Sequence, residues 1–160
     1  MEADQTDEKR STAGIPFPPP TVYLAGLLLS IPLELAFPTG GPPTVVRVLG
    51  ALLGIGAFAY LGGDAMRRFT RAGTPAIPFK PTEALVTTGP YRFTRNPMYV
   101  GMATLYVALA LAFGLLWAFA FLPVVILLID RLVIAREEPY LERLFGEQYA
   151  DYKQRVRRWV

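Results

Sequence analysis

No cysteine and no histidine occur among the 160 residues. The first absence removes disulfides, thiolate nucleophiles and cysteine-based metal or redox centres. The second removes the commonest general base and the commonest zinc ligand. The remaining carboxylates are not spaced as metal ligands, so no metal site is expected. Polar residues are scarce as well: 52% of the chain is hydrophobic and only 18% charged, too apolar for most soluble domains. A net charge of +3 with a pI near 9.3 suggests nucleic acid only when bases are interleaved with aromatics on a soluble face. Here they flank apolar runs, so membrane lipid is expected as a partner and nucleic acid is not.

Residues 1–20 mix acids, bases and prolines without a basic region leading into an apolar core. They read as a polar, Pro-rich disordered tail rather than a signal peptide. One membrane domain is expected over residues 21–160, with spanning helices near 21–37, 45–66, 97–113 and 115–134. The last two form a hairpin, because one straight helix over 97–129 would be about 50 Å long against a hydrocarbon core of about 30 Å. The fold class is therefore all-α and integral to the membrane, with four transmembrane helices.

Sorting the 16 Lys and Arg gives two in the tail, Arg47 alone in the second run, six in the loop 67–96 and seven from Arg131 onward. The turns at 38–44 and at Gly114 carry none. The positive-inside rule then places both termini, the middle loop and any site beside them in the cytoplasm of a multi-pass protein. From Leu141 to Trp159 apolar residues recur at three-four spacing, predicting an amphipathic cytoplasmic segment over 135–160, broken near Gly146 and lying on the membrane or the bundle.

Within the runs, Gly50 and Gly54 are spaced for close helix packing. Glu34 falls near the far side, suited to an interface or interhelical pairing, and Pro32 and Pro123 are expected to kink their helices. Residues 69–89 read as a connector over the cytoplasmic mouth.

The stretch YRFTRNPMYVG begins at Tyr91. Asn96 before Pro97 marks a helix start, and that N-terminus beside Arg95 favours an anionic group. The fourth helix returns to the same depth carrying Asp130, Arg131, Arg136, Glu137 and Glu138, so a site of both signs results, suited to a zwitterion. The competing reading is a solvated rim of charges that only sets topology.

The order GPYRFTRNPMYVG, apolar hairpin, REEPYLERLFGEQYADYKQRVRRW resembles the isoprenylcysteine carboxyl methyltransferase family and its relatives, the phospholipid N-methyltransferases. The resemblance covers roughly residues 85–159. It implies an integral membrane methyltransferase that uses S-adenosylmethionine and a lipophilic or prenylated acceptor, an isoprenylcysteine-type carboxylate or a related lipid. It also implies a cofactor site of Arg95, Asn96, Pro97, Met98, Tyr99, Glu137 and Glu138, with Glu137 in contact, and an acceptor-engaging arginine at Arg131 or Arg136. The family motif reads Arg-His-Pro-x-Tyr. Asn96 replaces the histidine and cannot titrate, which argues against proton transfer at that position.

Methyl transfer from a sulfonium rests largely on positioning. A carboxylate acceptor needs no base, whereas an ammonium must first lose a proton, and without histidine only Glu137, Glu138, Asp130, a tyrosine or water is left to take it. The sequence therefore leans toward a carboxylate acceptor, and no catalytic residue is assigned. Two alternatives stand beside this reading. One is an NADPH-dependent sterol or steroid reductase using Arg92, Arg95 and Arg136 for phosphates. The other is a small non-enzymatic membrane scaffold.

Overall fold

The computed structural model describes residues 12–74 and 81–160, which are helical with no strand among them. Helix α1 runs over Pro20–Ala36 and α2 over Thr44–Phe58. A five-residue π-turn, Ala59–Gly63, carries α2 without a break into α3, Asp64–Arg71. After a 3₁₀ turn at Gly89–Arg92 comes α4, Pro97–Phe113, then α5, Ala118–Ile129. A second π-turn, Asp130–Ile134, joins α5 to α6, Ala135–Phe145, and α7 follows over Glu147–Arg155. Thr44–Arg71 and Ala118–Phe145 are each long and apolar enough to cross a membrane, while α1 and α4 are shorter apolar helices.

Helix α4 is central. Along one side it meets α2, and along the other it meets α1 and α5, which also touch each other. The α2 contact needs small residues: a Cβ on Gly54 would lie 2.7 Å from the Ala108 methyl and 2.8 Å from the Thr104 carbonyl, and one on Gly50 would strike Leu111. The expected Gly50/Gly54 packing is thus present. The opposite side is sealed by a core of Tyr23, Tyr106, Val125, Ile129, Val133 and Ile134. Helix α2 has no buried residue, and it leaves Val45, Leu49, Leu52 and Leu53 exposed, as a lipid-facing helix should.

The chain reverses at Gly114, whose φ of +71° is the left-handed conformation that glycine adopts without strain. The α1–α2 turn meets this reversal: Arg47 donates to the Ala112 carbonyl at 2.8 Å, and the Trp117 indole donates to the Phe37 carbonyl at 3.0 Å. Glu34 accepts from the Thr39 backbone at 2.7 Å and from its hydroxyl. It holds its own turn and also faces the backbone of Leu116 and Trp117 in the opposite reversal, the interface placement expected of it. Pro32 and Pro123 lie inside α1 and α5, which run on through them.

Two expectations need correction. The Pro-rich segment from Thr12 is not a free tail: Ile15 is buried in the core, and the Gly14 carbonyl accepts a hydrogen bond from Arg136 at 2.9 Å. Residues 1–11 lie outside the described residues. The C-terminal helix does break at Gly146, where φ is +51°, but it ends at Arg155 rather than reaching Trp159. Tyr149 and Tyr152 turn inward onto Ala65 and Tyr91, so α7 packs on protein.

Candidate functional site

The site lies at the end of the bundle away from the two hairpin turns. Asn96 occupies the N-cap position of α4 and Pro97 its first turn, as the sequence predicts. Yet the Asn96 side chain does not cap the helix. Its Nδ2 donates to the Arg158 carbonyl at 2.9 Å, and the Thr94 hydroxyl donates to the same carbonyl at 3.0 Å. The Arg95 amide donates to the Arg157 carbonyl at 2.9 Å. The chain after α7 is extended at Val156 and straps across the start of α4.

That strap carries Arg158 to Glu138. Arg158 meets both Glu138 oxygens, at 2.5 and 3.1 Å, while Arg95 Nη2 reaches Glu138 Oε1 at 2.7 Å. Arg158 also contacts Asp130 at 3.2 Å, and the Trp159 indole donates to Asp130 at 3.0 Å. Arg95 Nη1 is taken up by the Val156 and Lys153 carbonyls at 2.7 and 3.0 Å. Burial alone would raise the Glu138 carboxyl, but hydrogen bonds from Arg158 and Arg95 outweigh it and hold the group below the usual carboxylate range. Glu138 is thus occupied with the protein's own arginines.

Its neighbour is in a different state. Glu137 sits in the first turn of α6, beyond the apolar stretch that ends at Ile134. Among the described residues it accepts one hydrogen bond, from the Tyr99 hydroxyl at 2.7 Å. Burial pushes its carboxyl up to about 7; the Tyr99 bond works against the rise and the negative charge of Glu138 adds to it. Tyr99 is itself held in place, its carbonyl accepting from the Tyr23 hydroxyl at 2.9 Å. The geometry therefore separates two adjacent carboxyls into a structural anion and a poised acid.

Between them opens a narrow cavity of about 50 Å³ lined by Arg95, Asn96, Glu137, Glu138, Tyr91 and Tyr152, with Ala84, Leu85 and Val86 over it. Burial raises the phenols of Tyr91 and Tyr152, so they face it as neutral hydroxyls. One is already committed, Tyr152 donating to the Tyr91 carbonyl at 2.7 Å. Arg95 Nε is buried with no hydrogen-bond partner among the described residues, a donor left for something else. The connector's residues 81–86 approach this mouth: the Thr82 amide donates to the Tyr140 hydroxyl at 3.0 Å. Residues 75–80 lie outside the described residues.

Of the expected cofactor residues, Arg95, Asn96, Glu137 and Glu138 share the cavity, and Tyr99 adjoins it through Glu137. Met98 instead packs against the cluster of Tyr91, Tyr149 and Tyr152. Neither arginine expected at the acceptor lines the cavity. Arg131 is 74% exposed, 3.7 Å from Asp130, and Arg136 is bound to Gly14. The three arginines suggested for NADPH phosphates do not converge, since Arg92 lines a different groove. Arg158 and Trp159 escaped the sequence reading, and Asp130, expected at this depth, serves to hold them. The REEP and RRW strings held the signal, but only the strap shows that they meet.

The residues fit S-adenosylmethionine in donor chemistry: a carboxyl with no cationic partner among the described residues for positive charge, and an orphaned guanidinium N–H for a carboxylate. As it stands, the cavity admits only a small group, far below the roughly 300–1,000 Å³ of ligand pockets. A nucleoside needs more room than this, and Thr82, Ala84, Leu85 and Val86 are the connector residues that line the cavity.

Similarity to known proteins points the same way. An uncharacterized protein of Haemophilus influenzae is 43% identical over 63 residues, which are 39% of this chain and all of that protein. No solved structure matches. Residues 45–148 match the model of a family described as phospholipid methyltransferase. The match takes in α2 through the start of α7, including Arg95, Tyr99, Glu137 and Glu138, and with these apolar helices the chain belongs to the phospholipid methyltransferase family of membrane proteins.

Proposed function

We propose that this protein transfers a methyl group from S-adenosylmethionine to a lipid headgroup at the cytoplasmic face of a four-span membrane domain. The observation that carries the reading is Glu137: a carboxyl raised to about 7 by burial, with one neutral partner, beside the unpaired Arg95 Nε. S-adenosylmethionine supplies an activated methyl group on a sulfonium when bound. Arg95 Nε would meet an anionic group, Asn96 and Tyr99 border that position, and ionised Glu137 faces positive charge. Glu138, Arg158 and Asp130 hold Arg95 where it is. Residues 82–86 would exclude water once closed over the ligand.

Two acceptors follow. An amine headgroup is favoured by Glu137 and by the family's description: a carboxyl raised to about 7 is suited to take the ammonium proton. An isoprenylcysteine-type carboxylate, which needs no base, is favoured by Arg131, whose exposed guanidinium remains open to an anionic acceptor.

The test is calorimetric binding of S-adenosylmethionine to the purified protein, with NADPH alongside and Glu137→Gln as comparison. Saturable binding of S-adenosylmethionine, lost in the variant, supports the proposal. Absence of S-adenosylmethionine binding in a lipid bilayer defeats it, and NADPH binding instead would transfer the site to the reductase class. Methyl transfer into an aminophospholipid or into a prenylcysteine then decides the acceptor.

A further inference from the structure

On another part of the same end lies a larger groove, about 540 Å³, bordered by Tyr60, Arg68, Thr88, Gly89, Arg92 and Phe93. It shares no lining residue with the Glu137 cavity. The groove is shaped by a specific contact. Gly89 has φ +64°, and a Cβ there would lie 2.0 Å from Arg68 Nε, so the guanidinium rests against the glycine backbone. Any side chain would be excluded both by that φ and by the arginine.

Arg68 is held on two sides, by Asp64 at 2.6 Å through Nε and by the Thr88 hydroxyl at 2.8 Å through Nη1. It reaches the groove with Nη2 uncommitted among the described residues. The Arg92 side chain, exposed on the 3₁₀ turn, has no hydrogen bond or ion pair among the described residues. Asp64 offsets one of the two positive charges, so the groove carries one net cation with several donors arranged around it.

The rim is aromatic. Tyr60 is 55% exposed and Phe93 66%. Helix α2 and its π-turn together span Thr44 to Gly63, about 30 Å of helix at 1.5 Å per residue, which matches the hydrocarbon core. Tyr60 therefore stands within one turn of the core's edge, its hydroxyl in reach of the headgroups, where tyrosine and other amphipathic aromatics concentrate. Below it the exposed apolar face of α2, including Leu53 and Leu49, continues toward the bilayer centre.

We propose that this groove binds a phosphate monoanion carried by a membrane lipid, with the phosphate between Arg68 and Arg92, the glycerol against Tyr60 and Phe93, and the acyl chains along α2. Guanidinium groups recognise phosphate oxygens through several charge-assisted hydrogen bonds, and basic pockets at a headgroup level are suited to anionic lipid. The site does not depend on the methyltransferase reading.

Native mass spectrometry of the full chain in detergent tests it, with phosphatidylglycerol, diacylglycerol and glycerol 3-phosphate as probes. Phosphatidylglycerol is expected to stay bound and diacylglycerol to be lost. Arg92→Ala should weaken phosphatidylglycerol retention by about tenfold or more, the value of a charge-assisted bond, and Arg92→Lys should restore part of it. Glu137→Gln should leave it unchanged. Unaltered thermal unfolding of Arg92→Ala shows that the loss is local; should that variant fail to fold, Arg92→Lys and Phe93→Ser carry the test. Equal retention of diacylglycerol, or full retention by Arg92→Ala, overturns the proposal. Glycerol 3-phosphate binding as tightly as phosphatidylglycerol would overturn the lipid as its source.

Discussion

The two ends of the bundle use similar residues in opposite ways. At the turn end, Glu34, Arg47 and Trp117 each satisfy a backbone group of a hairpin turn. At the other end, Asp130, Glu138, Arg95, Arg158 and Trp159 satisfy one another, joining α4, the second π-turn, α6 and the C-terminal strap. Backbone-directed polar groups close a turn and can be removed singly. A side-chain network holds separate segments in register, and removing one member strands the rest. Such a network can keep Glu137 in place without using it, which is what makes this end the candidate site.

The largest test of this difference is Glu138→Gln. It leaves Arg95 and Arg158 facing a neutral group, and removing one partner of a buried pair costs about 3–5 kcal/mol. Thermal unfolding in detergent should show that loss, whereas Arg47→Ala, a part-buried bond to backbone, should cost only about 1 kcal/mol. Equal losses would erase the contrast.

Next is pH. Glu137 has a folded-state value near 7 against 4.5 unfolded, so its protonation stabilises the folded state at low pH. That contribution is lost as pH rises from about 4.5 to 7. Glu138 acts oppositely: its stabilisation is present above the unfolded value and is lost as pH falls through its lowered folded value. Between pH 5 and 8 the wild type should therefore lose stability relative to Glu137→Gln, read as a falling difference in unfolding midpoint. S-adenosylmethionine binding should rise through neutrality as Glu137 ionises. A binding profile flat from pH 6 to 8 would deny Glu137 its role.

A smaller effect comes from the two tryptophans. Trp159→Phe and Trp117→Phe each remove one indole hydrogen bond, at about 1 kcal/mol, but only the first frees Asp130 within the network. Combined with Arg158→Lys, Trp159→Phe should be non-additive, while Trp117→Phe should add simply. The smallest effect is at Arg131, 74% exposed and 3.7 Å from its partner. Arg131→Ala should alter stability by less than about 0.5 kcal/mol, so a fall in methyl transfer with that variant would mark acceptor contact alone.

Much of this was readable along the chain, and the failures share a cause. Helix α4 and its reversal at Gly114 follow from local signals, Pro97 at the start and a glycine able to take φ +71° at the end. The Gly50/Gly54 pair announced its own contact. The three-four spacing from Leu141 onward, by contrast, describes a helix without saying what covers its apolar face; Tyr149 and Tyr152 found Tyr91 and Ala65 instead of lipid. Nor does that spacing show that the chain leaves the helix at Val156, because the strap is held by the Arg95 amide, the Thr94 hydroxyl and Asn96, some sixty residues earlier.

By itself the sequence determined the class of molecule. Apolar runs, missing cysteine and histidine, and the placement of arginines act through hydropathy, chain length and charge, which need no knowledge of neighbours. It also brought Glu137 and Glu138 to the depth of Arg95 and Asn96, and the family resemblance added Tyr99. Only the tertiary structure decided that Glu138 is spent on two arginines while Glu137 is left with a tyrosine. A carboxyl's state depends on burial and on the charges within a few ångströms, and those are set by packing between segments distant in the chain.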